Sequence, residues 1–386
     1  MTEIDMDDLR EELLQCRRCG ICRNAVYEAK GFDGICPIWR NTPGFETSFM
    51  RGKIQVALAL LDGQLERTSE NAESLYQCAL CGNCAAICAA EFHPAHIMET
   101  VREVLSDIPN ESRDKITESI NKYDNPYNEQ SESRSMWLAD LGIDVPSTGD
   151  LLYFVGCTAA LRQSDIARDT ARILHAAKSD FAIMKNEPCC GSVMMRTGKM
   201  GDAKENAEKV AEAIKATGAK KIIVSCSGCL KTLRKDYPEK FGIEMPEILH
   251  IVEFVKHLID SNQLSLDSLE PLKVTYHDPC HLGRELEVYD EPREIIKAIP
   301  GVELVEVEPN RNAALCCGAG GGLRSYDAEL SKKIAGDRVR AFDETGASAV
   351  VSACPFCETN LVAGAKLVGS DIEVLDIVEL LMRAIK

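Results

Sequence analysis

The chemistry of this 386-residue chain sits in its eighteen cysteines, which are bunched at spacings that let several sulfurs converge on one metal centre. Cys78, Cys81, Cys84 and Cys88 follow C-x2-C-x2-C-x3-C, the spacing that wraps a 4Fe-4S cube. Cys16, Cys19 and Cys22 supply the same first three positions, but the fourth, Cys36 before Pro37, comes only after a longer insertion. In two-cluster proteins the fourth cysteine of each run serves the other cluster. That rule assigns Cys16, Cys19, Cys22 and Cys88 to one cube and Cys78, Cys81, Cys84 and Cys36 to the other. A pair of four-cysteine zinc sites is the competing reading, although zinc normally takes two C-x2-C pairs rather than triplets. Two cubes imply a one-electron relay.

The other ten cysteines form one pattern written twice. First come Cys157, the doublet Cys189-Cys190 before Gly191, and the pair Cys226 and Cys229; then Cys280, the doublet Cys316-Cys317 before Gly318, and the pair Cys354 and Cys357. Each set offers five thiols, one more than a tetrahedral ion or an ordinary cube requires. The corresponding members keep nearly one offset along the chain, which points to internal duplication and a pseudo-symmetric pair of domains.

These thiols need elements to hold them. Residues 1–105 read as a small helical module; "RGKIQVALALLDG" is a helix that stops at Gly63. Residues 106–149 turn polar and read as a linker. From residue 150 strands and helices alternate. "LLYFVG" and "AKKIIVSC" are buried strands, with "SDIARDTARILHAAK", N-capped by Ser164, and "ENAEKVAEAIKATG" as amphipathic helices. "LKVTYHDPC", "VELVEVE" and "ASAVVSAC" repeat the strand order. The expected fold class is therefore α/β: a helical two-cluster module, a first α/β domain over 150–265 and a second over 266–386, each with a parallel sheet. Each cysteine group falls at a strand end or a loop, where such sheets place ligands.

Composition narrows the function. Lysine and arginine number 44 against 61 aspartates and glutamates, a net charge of −17, which argues against nucleic acid or an anionic membrane as the main partner. No stretch resembles a signal peptide or a membrane span, and a long chain with short-spaced cysteines does not read as a disulfide scaffold. The expected location is the cytoplasm.

The sequence resembles the CCG-domain iron-sulfur oxidoreductases, through "YHDPCHLGR" at 276–284, "CCGAGGG" at 316–322 and "ACPFCETNL" at 353–361. A two-cube module joined to two CCG domains is similar to the D-type iron-sulfur subunits of archaeal heterodisulfide reductases, and also to iron-sulfur subunits of lactate, glycolate and anaerobic glycerol-3-phosphate dehydrogenases. The resemblance implies that each five-cysteine set holds a noncubane 4Fe-4S cluster, with zinc as an alternative at the first. Adjacent cysteines would then reach neighbouring irons. Gly191, Gly318, Gly320 and Gly321 would let backbone approach the cluster and aim N–H groups at sulfur.

Two functions follow from the resemblance. One is reduction of a disulfide, the coenzyme M-coenzyme B heterodisulfide above all, with electrons supplied by a flavoprotein or b-type cytochrome partner. The other is electron transfer as the iron-sulfur subunit of an FAD-linked dehydrogenase. No flavin or nucleotide motif is present, so either requires a partner chain. His277 and His281 flank Cys280 and either carry protons near a cluster or order the loop. Arg284 and Arg324 either hold an anionic substrate or pair with the chain's own carboxylates. His93 and His96 read as packing or surface residues rather than ligands.

Overall fold

The structure is a computed structural model and describes residues 4–385. Helices Met6–Leu14, Met50–Leu61, Ser69–Tyr76 and Pro94–Val104 form the N-terminal module, packed through Leu13, Ile54, Leu75, Met98 and Val101. Asp5 caps the first through the Asp7 N–H, and Thr68 caps the third through the Asn71 N–H. Shortly after Leu61 the chain turns away at Gly63, whose φ of +71° suits only glycine.

The insertion before Cys36 is a two-stranded antiparallel ladder, β1 (Val26–Tyr27) against β2 (Phe32–Asp33), that doubles the chain back. The Cys36 N–H then donates to the Arg23 carbonyl at 3.0 Å, returning the fourth cysteine to the neighbourhood of the first three.

The segment expected as a polar linker carries a helix, Glu111–Tyr123, capped by Asn110 on the Arg113 N–H. Ile116 and Ile120 anchor it in the main core. The rest of its buried face is polar but satisfied: Thr117 donates to Arg113 O and Ser119 to Asn125 O. Such a face shows no apolar period in the sequence, which is why composition alone reads it as linker.

Beyond residue 150 two parallel sheets follow. β3 (Leu151–Phe154), β4 (Lys221–Val224) and β5 (Glu247–His250) lie in the order β3-β4-β5; β6 (Leu272–Tyr276), β7 (Val302–Leu304), β8 (Ala349–Ser352) and β9 (Glu373–Asp376) lie in the order β7-β6-β8-β9. Ala182 bridges Leu152 in parallel on the free side of β3, where β7 lies beside β6, so the first sheet keeps a remnant of the fourth strand. Each final strand runs into a helix with a capping box, His250 with Glu253 and Asp376 with Glu379.

The repeats interlock reciprocally. Helix Ser164–Ala176 of the first packs on Ile377–Arg383 of the second, and Asp290–Ala298 of the second packs on Ile251–Asp260 of the first. Ser164, expected as a cap, is the first helical residue; Gln163 takes the cap position without a side-chain bond. One hydrophobic core runs through both sheets. Among the described residues no helix is long and apolar enough to cross a membrane.

Candidate functional site

Two small cavities lie in the N-terminal module, each of about 30 Å³. Cys16, Cys19, Cys22 and Cys88 line the outer one; Cys36, Cys78, Cys81 and Cys84 line the inner one, with Cys84 bordering both. The sulfurs are thus grouped with the fourth cysteine exchanged between runs. Burial pushes the Cys36 thiol up to about 12 and the Cys22 thiol up to about 11, so both are neutral until a metal centre displaces their protons. Four thiols lining one small cavity are the donor set that a 4Fe-4S cube takes.

Of the ten other cysteines, Cys157, Cys226, Cys229, Cys280, Cys354 and Cys357 follow the C-terminal ends of parallel strands, and the two doublets lie in loops. Cys157 opens the helix after β3 and Cys280 the helix after β6, while Cys226 and Cys354 occupy N-cap positions after β4 and β8. All except Cys316 line a single cavity of about 200 Å³ between the repeats. Within it Cys157 lies 3.9 Å from Cys189, Cys229 3.5 Å from Cys190, and Cys317 3.4 Å from Cys357. Cys226 packs against Cys354 and Cys357 across the seam. Cys316 does not line this cavity; it lies against Cys280 and also against Cys81 of the inner four-cysteine set.

The glycines divide into two tasks. Gly191 and Gly318, both with positive φ, donate their N–H groups to Cys189 Sγ at 3.5 Å and Cys316 Sγ at 3.2 Å. Gly320 and Gly321 instead abut the inner cube loop: a Cβ would stand 2.8 Å from Ala79 O at the first and 2.5 Å from Cys78 O at the second. Their lack of a side chain serves contact between the second repeat and the N-terminal module, a task their sequence context does not reveal.

Several supporting residues are not cysteines, and all but Asn360 lie outside the quoted cysteine motifs. Glu187 is buried and accepts from the Val155 and Gly156 N–H groups at 2.7 and 2.8 Å while pairing with Arg134, fixing the turn into Cys157. Asn206 donates to Cys189 O, Tyr237 to Cys190 O and Asn360 to Cys317 O, holding the doublets by their carbonyls. Each could have been sought only as a polar residue at an otherwise apolar helical position.

Of the residues expected beside the cysteines, His277 is buried against Cys317 and Cys357. His281 lines the cavity between the repeats, and burial, with Arg196 and Lys231 nearby, pulls it down to about 4, so it is a neutral imidazole at physiological pH. Arg324 lines the same cavity and donates to Asn360 Oδ1 at 2.7 Å. Arg284 pairs with no carboxylate among the described residues; it donates to the carbonyls of Asn312, Cys81 and Ala314. His93 and His96 stack at 3.5 Å and face Glu285. Their ligand atoms and that of Glu285 lie within 4.8 Å of one another, and His93 Nδ1 accepts the His96 N–H at 3.3 Å.

Comparison with known proteins matches this geometry. The cysteine-rich CCG domain matches residues 151–234 and 274–362, and the 4Fe-4S dicluster domain matches residues 12–92. The D subunit of the dihydromethanophenazine:CoB--CoM heterodisulfide reductase of Methanosarcina acetivorans is 34% identical over 97% of this chain and 94% of its own length. The chain belongs to the CCG-domain iron-sulfur oxidoreductases of the heterodisulfide reductase D type. A probable iron-sulfur-binding oxidoreductase, FadF, of Bacillus subtilis is 32% identical over 81% of this chain and 47% of its own length. A hypothetical protein from Helicobacter pylori shares the fold, with a TM-score of 0.60 over 99% of this chain and 76% of its own, at 9% identity. As a CCG-domain oxidoreductase the chain transfers electrons through iron-sulfur centres.

Proposed function

We propose that the chain reduces a disulfide, the coenzyme M-coenzyme B heterodisulfide in the first instance, in the cavity between its two CCG repeats. The reading is carried by one observation: both repeats deliver their cysteines, except Cys316, to a single cavity of about 200 Å³. The outer and inner four-cysteine sets would hold cubes, and each CCG set a noncubane 4Fe-4S cluster, supplying electrons one at a time. Cleavage of one S–S bond consumes two electrons and two protons and leaves two thiols.

The chain's own groups suit that task. A disulfide in the cavity has one repeat's cysteines on either side of it. Arg324, steadied by Asn360, keeps further N–H groups for an anionic tail. His281, neutral by burial, offers a ring N–H beside Cys280, and Phe356 and Val193 help keep water out. The electron donor is a separate flavoprotein or b-type cytochrome subunit, and the reaction is placed in the cytoplasm.

A second reading, the electron-transfer subunit of an FAD-linked dehydrogenase, is favoured by the similarity to the Bacillus oxidoreductase. Anaerobic purification with metal analysis and electron paramagnetic resonance separates these. Four clusters give about sixteen irons per chain, whereas about twelve irons with one zinc would make the first CCG site a zinc site. Spectra that change with coenzyme M or coenzyme B thiols support disulfide chemistry. Spectra indifferent to both move the assignment to the dehydrogenase relay.

A further inference from the structure

The inner cube site is surrounded by positive charge that has no carboxylate partner. Lys53 is 1% exposed, lines the same cavity as Cys36, Cys78, Cys81 and Cys84, and donates to the carbonyls of Thr47, Ser74 and Gln77. Three carbonyl acceptors around one Nζ favour the ammonium, against the burial that lowers its pKa. Arg102 is wholly buried, and its guanidinium ends on the carbonyls of Leu75, Tyr76, Cys78, Arg196 and Gly321. Arg284 donates to Cys81 O at 3.0 Å and to two further carbonyls. Among the described residues none of the three forms an ion pair.

The outer site is built differently. Two cations line it: Arg17, which is exposed, and Arg51, which gives Nε and Nη2 to the Glu46 carboxylate and only Nη1 to a carbonyl, that of Arg18. Cys19 there is exposed, so solvent screens what charge remains.

Burying cations without a counter-charge is unfavourable unless an anion joins them. A four-thiolate iron-sulfur cube is an anion in both oxidation states and gains one more negative charge on reduction. Nearby fixed cations therefore favour the reduced form. We propose that Lys53, Arg102 and Arg284 hold the inner cube at a higher reduction potential than the outer one, so that an electron entering at the exposed outer site settles at the inner site beside Cys316. One electron leaves the reduced outer cube and one reaches the oxidised inner cube; no proton moves. The inference rests on the assignment of cubes to both four-cysteine sets.

The test is a redox titration of the full chain followed by electron paramagnetic resonance, with the outer signal identified by its loss in Cys19→Ser. The inner midpoint lies above the outer in the unaltered protein. Lys53→Met lowers the inner midpoint and leaves the outer one in place, while Lys53→Arg restores the original value, which a purely structural role would not predict. Should Lys53→Met fail to retain the inner cube, Arg284→Gln gives the same readout from the half-buried side of the site. Midpoints unmoved in the neutral variants, or both cubes shifting alike, overturn the proposal. Little iron in the unaltered chain would overturn the cube assignment itself, and so is distinguishable from an unmoved potential.

Discussion

Arg102 Nη1 donates to the Gly321 carbonyl at 2.7 Å, tying the helical module to the glycine run of the second CCG repeat. The contact works only because Gly321 has a φ of +63° and no Cβ, which would stand 2.5 Å from Cys78 O. Gly321→Ala therefore destabilises the chain by about 1–3 kcal/mol and opens the joint between the cubes and the CCG sites. Thermal melting reads the first effect. Stopped-flow reduction reads the second, as cubes that reduce normally followed by slow CCG reduction; an unslowed second phase contradicts the contact's role.

Glu187→Gln leaves Arg134 buried without its carboxylate and weakens the hold on the Val155 and Gly156 N–H groups. The expected loss is about 3–5 kcal/mol, the usual consequence of breaking a buried ion pair from one side. Denaturant unfolding measures it. Because the affected turn leads into Cys157, metal should be lost from the first repeat and kept at the second, which metal analysis with cluster spectroscopy checks.

Glu99 offers a pH test away from the cysteines. Burial alone would raise its carboxyl, but Arg196 at 3.0 Å and Lys240 at 2.8 Å bring it down to about 2. A lowered folded value means the stabilisation is complete above the ordinary 4.5 and is lost as pH falls toward about 2. Glu99→Gln should be less stable than the unaltered chain by about 3 kcal/mol at neutral pH. In urea unfolding the gap stays constant down to about pH 4.5 and narrows below it; a gap that changes between pH 7 and 5 would place its origin elsewhere.

The C-x2-C runs and the strand-helix alternation were legible because both are local patterns, and the duplication because the two cysteine sets recur at nearly one offset. The cations around the inner site were not. Arg102 reaches Gly321 across 219 positions, and its partners are backbone carbonyls, which every residue carries. Arg284 stands beside a cysteine motif and so drew a substrate role, yet its donors turn inward to Cys81, Asn312 and Ala314. The helix at Glu111–Tyr123 escaped notice because much of its buried face is polar and hydrogen-bonded.

The two doublets look alike in sequence but sit differently, and that asymmetry sets an order of events. Cys189 lines the cavity between the repeats, 3.9 Å from Cys157, whereas Cys316 lies behind that lining against Cys280 and also touches Cys81. Electrons from the inner cube should therefore reach the second repeat before the first. Cys316→Ala removes the sulfur at that junction, so the cubes should still reduce while both CCG centres lag. Cys189→Ala disturbs only the far repeat, so the second CCG centre should reduce at its normal rate. Freeze-quench electron paramagnetic resonance of the two variants distinguishes them. A Cys316→Ala protein whose first-repeat centre reduces as fast as in the unaltered chain would mean that electrons enter the cavity by another route.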